Sequence, residues 1–145
     1  MIRICFVCHG NICRSPMAEF IMKDKIQKLN LQDKFYIDSK ATSSEELGND
    51  IHPGTKKLLD KNNISYTEHY ASKLQKEDYD NYDYFICMDD NNIRNLSYIF
   101  DDPNNKIYKL LDKNIADPWY TGNFNETYND IIKGIENLIN YLKNR

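Results

Sequence analysis

The chain has 145 residues, of which 41% are apolar and 28% are charged, and its formal net charge is -3. These values are typical of one globular domain with a substantial core, and they exclude a disordered or membrane-embedded chain. The charge favours no nucleic-acid partner, so an anion site must be built locally. No apolar run reaches the roughly 20 residues that span a bilayer, and the N-terminus is too short for a signal sequence. We expect a single cytoplasmic domain over residues 1–145, with no membrane partner.

The predicted elements alternate between strands and helices. The predicted strands are residues 2–7, 35–37, 84–88 and 106–110. The predicted helices begin at Ser15-Pro16, at Pro53 and at Asp89 or Asp90, and a last helix carries apolar residues at helical spacing over residues 131–142. This alternation predicts an α/β fold with a parallel sheet and right-handed crossovers. Ligands of such sheets bind beyond the carboxyl ends of the strands.

The cysteines are unevenly distributed along the chain. Cys5, Cys8 and Cys13 lie within the first thirteen residues together with His9, and Cys87 lies far downstream. Three interpretations compete for the N-terminal group, namely a zinc site, a redox pair of Cys5 and Cys8, and a catalytic thiol. Residues three apart on a strand point to opposite faces, so Cys5 and Cys8 diverge, which disfavours the first two interpretations. In a reducing cytosol we expect free thiols.

The segment between the first strand and the first helix has the pattern of a phosphate-binding loop. Cys8 and Arg14 are separated by five residues, which is enough backbone to wrap N–H groups around one tetrahedral anion at a helix N-terminus. Gly10 is expected to allow positive φ and close approach, and Asn11 tolerates left-handed geometry. Arg14 offers a planar fork of donors for two phosphate oxygens. The predicted phosphate-binding residues are His9, Gly10, Asn11, Ile12, Cys13, Arg14 and Ser15.

The same loop predicts a nucleophile. A helix N-terminus and a nearby cation acidify a thiol, so Cys8 is expected to be largely thiolate at neutral pH. The predicted reaction is in-line attack on phosphorus to give a cysteinyl-phosphate, with Arg14 and the loop amides stabilising the transition state. The alternative is an inert turn with a buried cysteine. The position of the loop, after an apolar strand and before a Ser-Pro helix start, argues against that alternative.

A leaving tyrosyl oxygen needs a proton, and Asp117 is the best candidate to supply it. Pro118 fixes the backbone and biases Asp117 toward extended geometry, while Trp119 and Tyr120 can wall a pocket for an aromatic ring. The alternative is an ordinary Asp-Pro turn. A second Asp-Pro pair, at residues 102–103, has no aromatic residues directly after it.

Together these motifs resemble the low-molecular-weight protein tyrosine phosphatases. The motifs that carry the resemblance are VCHGNICRSP at residues 7–16, DSKATS at 38–43, Gly48, HYA at 69–71, CMD at 87–89 and DPWY at 117–120. The resemblance covers essentially the whole chain. It implies a single-domain three-layer α/β/α fold, with a four-stranded parallel sheet in the order 2-1-3-4 and the phosphate loop between strand 1 and helix 1.

The resemblance also implies a chemistry. It implies hydrolysis of phosphotyrosine proteins or small aryl phosphate monoesters without metal or cofactor, with phosphate, sulfate and vanadate as inhibitory anions. Cys8 is the implied nucleophile, Arg14 the transition-state clamp, and Asp117 the acid and then the base. The implied loop-supporting residues are Asn11, Ser15, Ser39 and His69. Cys13 matches the family's second loop cysteine and is expected to form a reversible disulfide with Cys8 under oxidation.

Some positions depart from the family pattern. Glu45 stands at the expected pocket mouth, where the family often has an aromatic residue, so the predicted pocket wall is Glu45, Trp119 and Tyr120. The usual basic residue is replaced around His52, and Ser72 stands where an arginine or another polar residue is common. These differences leave the chemistry intact and leave the peptide preference open, with an acidic rim expected to disfavour acidic phosphopeptides.

Two other functions compete with the phosphatase. A thiol-dependent arsenate reductase on the same scaffold needs a relay of further cysteines, and only Cys87 lies downstream. A non-catalytic phosphate-binding module would usually lack Cys8, Arg14 or Asp117, and all three are present. Both alternatives are therefore disfavoured by the sequence.

Overall fold

The computed structural model describes residues 1–144. The strands are β1 (Ile2–Cys8), β2 (Phe35–Ala41), β3 (Tyr84–Cys87) and β4 (Ile107–Lys109). The α-helices are α1 (Arg14–Lys28), α2 (Pro53–Lys61), α3 (Asp90–Leu96), α4 (Pro118–Thr121) and α5 (Phe124–Lys143). Two 3₁₀ turns, Gln32–Lys34 and Lys76–Asn81, precede β2 and β3.

The four strands form one parallel sheet in the order β2-β1-β3-β4. This confirms the predicted sheet, its order and the position of the loop after β1. β2 is longer than the predicted residues 35–37, because the polar run 38–40 continues the ladder and hides the alternation. Along β2, Phe35, Ile37, Ser39 and Ala41 are buried while the residues between them are more exposed.

The sheet is covered on both faces, as the apolar β1 predicts. On one face Ile4 and Phe6 pack with α1, α2 and α5. On the other face Cys5 and Val7 pack with the 3₁₀ turn Lys76–Asn81 and with α3. Cys5 and Cys8 therefore lie on opposite sides of the sheet, and Cys5 is fully buried. Among residues 1–144, none of the helices is both long and apolar enough to cross a membrane.

The close packing of α5 against the sheet depends on a glycine. A Cβ at Gly134 would lie 2.4 Å from Leu110 Cγ, well inside van der Waals contact. Leu110 directly follows β4, so the helix and the carboxyl end of the sheet meet at this point. This contact fixes α5 beside the segment that leads to residues 117–120, which carry Asp117 and are called the acid loop below.

Candidate active site

The loop at residues 8–14 lies at the carboxyl end of β1, and Arg14 begins α1. Several of its carbonyl oxygens accept hydrogen bonds from outside the loop. These bonds are Thr42 N–H to Cys8 O at 3.0 Å, Ser43 N–H to His9 O at 3.1 Å, His69 Nε2 to Asn11 O at 2.8 Å and His52 N–H to Ile12 O at 2.8 Å. Because the surrounding segments bind these carbonyls, the N–H groups of the loop can donate hydrogen bonds to an anion.

Asn11 makes most of the hydrogen bonds that hold the loop in place. It is fully buried with φ of 59°, the left-handed geometry predicted for it. Gly10, by contrast, is not among the residues with positive φ, which corrects the expectation for that position. Its lack of a side chain serves close packing instead, because a Cβ there would lie 3.2 Å from Glu46 Cγ.

A buried chain of hydrogen bonds runs from α1 to the sulfur. Asn11 Oδ1 accepts from the Ser72 N–H at 3.2 Å, so Asn11 Nδ2 is the group that donates to Ser15 Oγ at 2.8 Å and to Ser39 Oγ at 3.0 Å. Ser39 Oγ in turn donates to Glu19 Oε1 at 2.6 Å. These contacts bring together all four predicted supporting residues, since His69 holds the Asn11 carbonyl.

The donors and acceptors in this hydrogen-bond chain can be assigned. The Glu19 carboxylate only accepts, so the single hydroxyl hydrogen of Ser39 is committed to it, and Ser39 accepts from the Asn11 amide. Ser15 Oγ likewise accepts from that amide, which leaves its own hydrogen for the Cys8 sulfur, 3.0 Å away. The sulfur also receives the Asn11 N–H at 3.3 Å. Two hydrogen-bond donors therefore converge on the Cys8 sulfur.

Arg14 is buried beside the sulfur and held rigidly. Its Nη1 donates to Asp89 Oδ2 at 2.7 Å and to the Ile115 carbonyl at 2.8 Å. Its Nη2 lies 3.5 Å from Asp117 Oδ2. Burial by itself would lower the pKa of this guanidinium, but Cys8 and the two carboxylates that face it outweigh that effect and raise the pKa. Arg14 therefore stays charged.

Asp117 is placed by the start of a short helix. It is the N-cap of α4, and its Oδ1 accepts the Trp119 N–H at 3.0 Å. Pro118 occupies the first helical position, where its missing N–H costs nothing. The Asp-Pro-Trp-Tyr run is thus more than a turn, because it aims one carboxylate oxygen at Arg14. Asp102, in the other Asp-Pro pair, instead accepts hydrogen bonds from Tyr79 and Lys106 within a structural turn.

The predicted wall residues line a cavity above the sulfur. Besides the loop, its lining includes Glu45, Glu46, Asp117, Trp119 and Tyr120. Trp119 and Tyr120 are 56% and 82% exposed, so their rings are available to a ligand. The cavity is therefore aromatic on one side and acidic on the other.

His52 joins the phosphate loop to the acid loop. Its backbone N–H holds the Ile12 carbonyl, and its ring stacks on Phe124 at 5.2 Å between centroids. The edge of the same ring meets Trp119 at 5.7 Å. His52 therefore contacts the phosphate loop through its backbone and the acid loop through its ring.

The other thiols are less reactive than the site requires of a nucleophile. Burial raises the pKa of Cys13 to about 12, with the Cys8 sulfur adding to the effect. Burial also raises the pKa of Cys5 and of Cys87, which are enclosed in β1 and β3. Both are fully buried. Cys87 is fully buried in β3 and packs with Cys5 in the core on the side of the sheet away from Cys8.

The fold and the loop together define a cysteine-dependent phosphatase. A family model described as low molecular weight phosphotyrosine protein phosphatase matches residues 3–145. The chain belongs to this family.

The comparisons extend over nearly the whole chain. PtpA of Staphylococcus aureus, a low molecular weight protein-tyrosine-phosphatase, is 38% identical over 98% of this chain and 94% of PtpA. The structure of YfkJ from Bacillus subtilis matches with a TM-score of 0.96 and 38% identity, covering 99% of this chain and 96% of YfkJ. That of SP-PTP, the low molecular weight protein tyrosine phosphatase of Streptococcus pyogenes, matches with a TM-score of 0.90 and 40% identity, covering 98% and 93%.

Three residues of the site were not assigned a role by the sequence analysis. Asp89 belonged to a recognised motif, but its bond to Arg14 crosses 75 residues. Glu19 carried a weak signal, as a carboxylate on the apolar side of α1 that must find a partner when buried. His52 carried none, because its role depends on a ring contact between two loops.

Proposed function

We propose that this chain hydrolyses phosphotyrosine in proteins, and small aryl phosphate monoesters, through a phosphate covalently bound to Cys8. The observation that carries the proposal is the placement of the Cys8 sulfur, which receives the Asn11 amide and the Ser15 hydroxyl. The buried Arg14 cation lies beside it, and Asp117 stands 3.5 Å from that cation.

In the first step the Cys8 thiolate attacks phosphorus in line with the departing tyrosyl oxygen. The S–P bond forms as the P–O bond breaks, and Arg14 with the loop amides stabilises the equatorial oxygens. Asp117, in its protonated form, gives its proton to the tyrosyl oxygen. A bound phosphoryl group competes with Asp117 for Arg14, which releases the carboxyl for this transfer.

In the second step water attacks phosphorus on the cysteinyl-phosphate. Asp117 now accepts a proton from that water, the S–P bond breaks, and inorganic phosphate leaves. The sulfur departs as a thiolate, and the hydroxyl hydrogen of Ser15 is directed at it. The Glu19–Ser39–Asn11 chain supports this step, because it keeps the Ser15 hydrogen pointing at sulfur.

The walls of the cavity favour an aryl phosphate. The Cys8 sulfur in this cavity is buried, whereas Trp119 and Tyr120 in the same lining are exposed, so we expect a substrate that contacts both to need a long flat side chain. Phosphotyrosine has that shape, and phosphoserine is too short. The similarity to PtpA and SP-PTP, both described as protein tyrosine phosphatases, supports the same substrate. Phosphate, sulfate and vanadate are expected to compete for the loop.

Oxidation is expected to regulate the same sulfur. Cys13 is buried in the same loop as Cys8, and its raised pKa keeps it a thiol until Cys8 is oxidised. Peroxide oxidises the Cys8 thiolate to a sulfenic acid and is itself reduced to water. The sulfenic acid then condenses with the Cys13 thiol, forming the S–S bond and releasing a second water. A catalytic thiol of this kind works in a reducing compartment, which supports action in the cytoplasm.

The test is hydrolysis of p-nitrophenyl phosphate and of a phosphotyrosine peptide in the presence of EDTA. We expect turnover of both, loss of turnover in Cys8→Ser, and retention of turnover in Cys87→Ala, which removes a buried thiol outside the site. Phosphate binding without turnover would make the chain a binding module. Thiol-coupled formation of arsenite, without phosphatase activity, would make it an arsenate reductase.

A further inference from the structure

The catalytic cleft continues into a second cavity on the far side of Arg14. The first cavity holds the sulfur and extends to Glu45 and Glu46. The second extends along α3 to Asn91, Arg94 and Asn95. The residues that line both cavities are His9, Arg14, Asp117 and Tyr120. The phosphate site therefore lies at the junction of two arms of one cleft.

One arm is acidic. Glu45 is fixed at the rim because its Oε2 lies 2.8 Å from Nε2 of His9, yet its side chain remains 70% exposed. Glu46 lies against Gly10 of the loop, and its Oε2 accepts from Asn49 Nδ2 at 2.6 Å. Neither of these contacts involves a lysine or an arginine. The two carboxylates are thus available to a cation carried by a ligand.

The other arm offers an exposed cation. Arg94 is exposed on α3, and its guanidinium contacts the Asn91 side-chain oxygen, which is a neutral partner. Asn91 and Asn95 lie on the same helix and line the same cavity, where their amides can bond to a carboxylate or to a peptide backbone. The two acidic residues that line this arm, Asp89 and Asp117, both face Arg14. Arg94 is therefore the exposed charge that this arm offers to a ligand.

We propose that the cleft selects phosphotyrosine peptides by opposite charges on the two sides of the phosphotyrosine. This inference rests on the proposed function and names its substrate class. A peptide whose phosphotyrosine enters the loop extends into both arms, so basic residues meet Glu45 and Glu46 while acidic residues meet Arg94. A peptide with the two charges exchanged meets like charge in both arms, and it is disfavoured.

The test compares two phosphotyrosine peptides of equal composition. One carries two lysines before and two glutamates after the phosphotyrosine, and the other carries them in the reverse order. We expect kcat/KM to differ about three- to tenfold between them, which is the size expected of a few exposed ion pairs, and the difference to shrink at high salt. The double variant Glu45→Lys with Arg94→Glu is expected to reverse the preference, a result that loss of folding cannot produce.

Hydrolysis of p-nitrophenyl phosphate is measured in parallel, because this substrate reaches neither arm. Absence of that hydrolysis would defeat the proposed function itself. Hydrolysis of p-nitrophenyl phosphate with equal kcat/KM on both peptides would overturn the charge selection alone, as would a preference that survives the double variant unchanged. Glu136→Lys, a charge reversal on α5 outside the cleft, serves as the matched control and is expected to keep the wild-type peptide preference.

Discussion

Arg14 Nη2 and Asp117 Oδ2 lie 3.5 Å apart, although the two residues are separated by most of the chain. The contact forms because β1 delivers the loop, and α4 delivers Asp117, to the same edge of the sheet. In the absence of phosphate, the negative charge of the Asp117 carboxylate compensates the positive charge of the Arg14 guanidinium. In the proposed reaction the phosphoryl group takes over the guanidinium, and Asp117 turns to proton transfer.

Asp117→Asn keeps the shape of the side chain and its capping acceptor but removes the transferable proton. We expect kcat for a phosphotyrosine peptide to fall about 10²- to 10⁴-fold, with KM little raised. The fall is expected to be smaller for p-nitrophenyl phosphate, whose leaving group is more acidic and needs less protonation. Equal losses on the two substrates would contradict the role of Asp117 as the acid. Asp102→Asn, in the other Asp-Pro pair, is the control and is expected to leave this ratio unchanged.

Glu19→Gln tests the direction of the buried hydrogen-bond chain. The amide N–H₂ of Gln can donate to Ser39, which frees the Ser39 hydrogen to compete for the Asn11 amide and disturbs the donation from Ser15 to sulfur. We expect a slower second step, seen as a burst of p-nitrophenol followed by a rate reduced about tenfold.

Lys23→Met is the control for Glu19. Lys23 Nζ lies 2.6 Å from Glu19 Oε2, so this variant removes the exposed partner and leaves the bond to Ser39 in place. We expect wild-type burst kinetics. If Glu19→Gln also shows the wild-type burst and steady-state rate, the buried hydrogen-bond chain from Glu19 does not influence the Cys8 sulfur.

Cys13→Ser tests the protective disulfide. After brief peroxide treatment the wild type is expected to recover most of its activity with dithiothreitol, because the disulfide of Cys8 and Cys13 blocks further oxidation. The variant is expected to recover little, because its sulfenic acid proceeds to the sulfinic form. Intact-mass measurement distinguishes the loss of two hydrogens from the gain of two oxygens. Full recovery of the variant would contradict the protective role.

Gly134→Ala tests the packing of α5 on the end of the sheet. The added methyl group meets Leu110 Cγ at 2.4 Å, so we expect a loss of about 1–3 kcal/mol in the free energy of unfolding, measured with urea. Leu110→Ala leaves a cavity and is itself expected to be destabilising. The double variant is expected to be more stable than the sum of the two losses predicts. Strict additivity would show that the two side chains do not meet.

The fold could be predicted from the sequence because its signals are local and repeated. The apolar β1, the Ser-Pro start of α1 and the helical spacing of α5 each specify their element, and alternation specifies a parallel sheet. β2 was predicted too short because Asp38 and Lys40 interrupt an apolar pattern, although alternate residues stay buried. The short α4 was not predicted as a helix, since its Asp-Pro start also suits a turn.

The residues of the candidate site could be predicted where they are adjacent in the sequence. Residues 8–15 are consecutive in the sequence, and so are residues 117–120, so spacing and residue type were sufficient to predict them. The contacts that support the loop were harder to predict from the sequence. Gly10 proved to be a packing position rather than one of positive φ, and His52 acts through ring contacts with Trp119 and Phe124. Such contacts depend on three-dimensional placement that no local pattern records.

The most direct test of the account is chemical identification of the intermediate. Acid quenching during turnover of ³²P-labelled phosphotyrosine peptide, followed by peptide mapping, is predicted to place the label on the Cys8 sulfur, in greater amount in a variant with a slowed second step. Label on any other residue, or sustained turnover by Cys8→Ser, would contradict it.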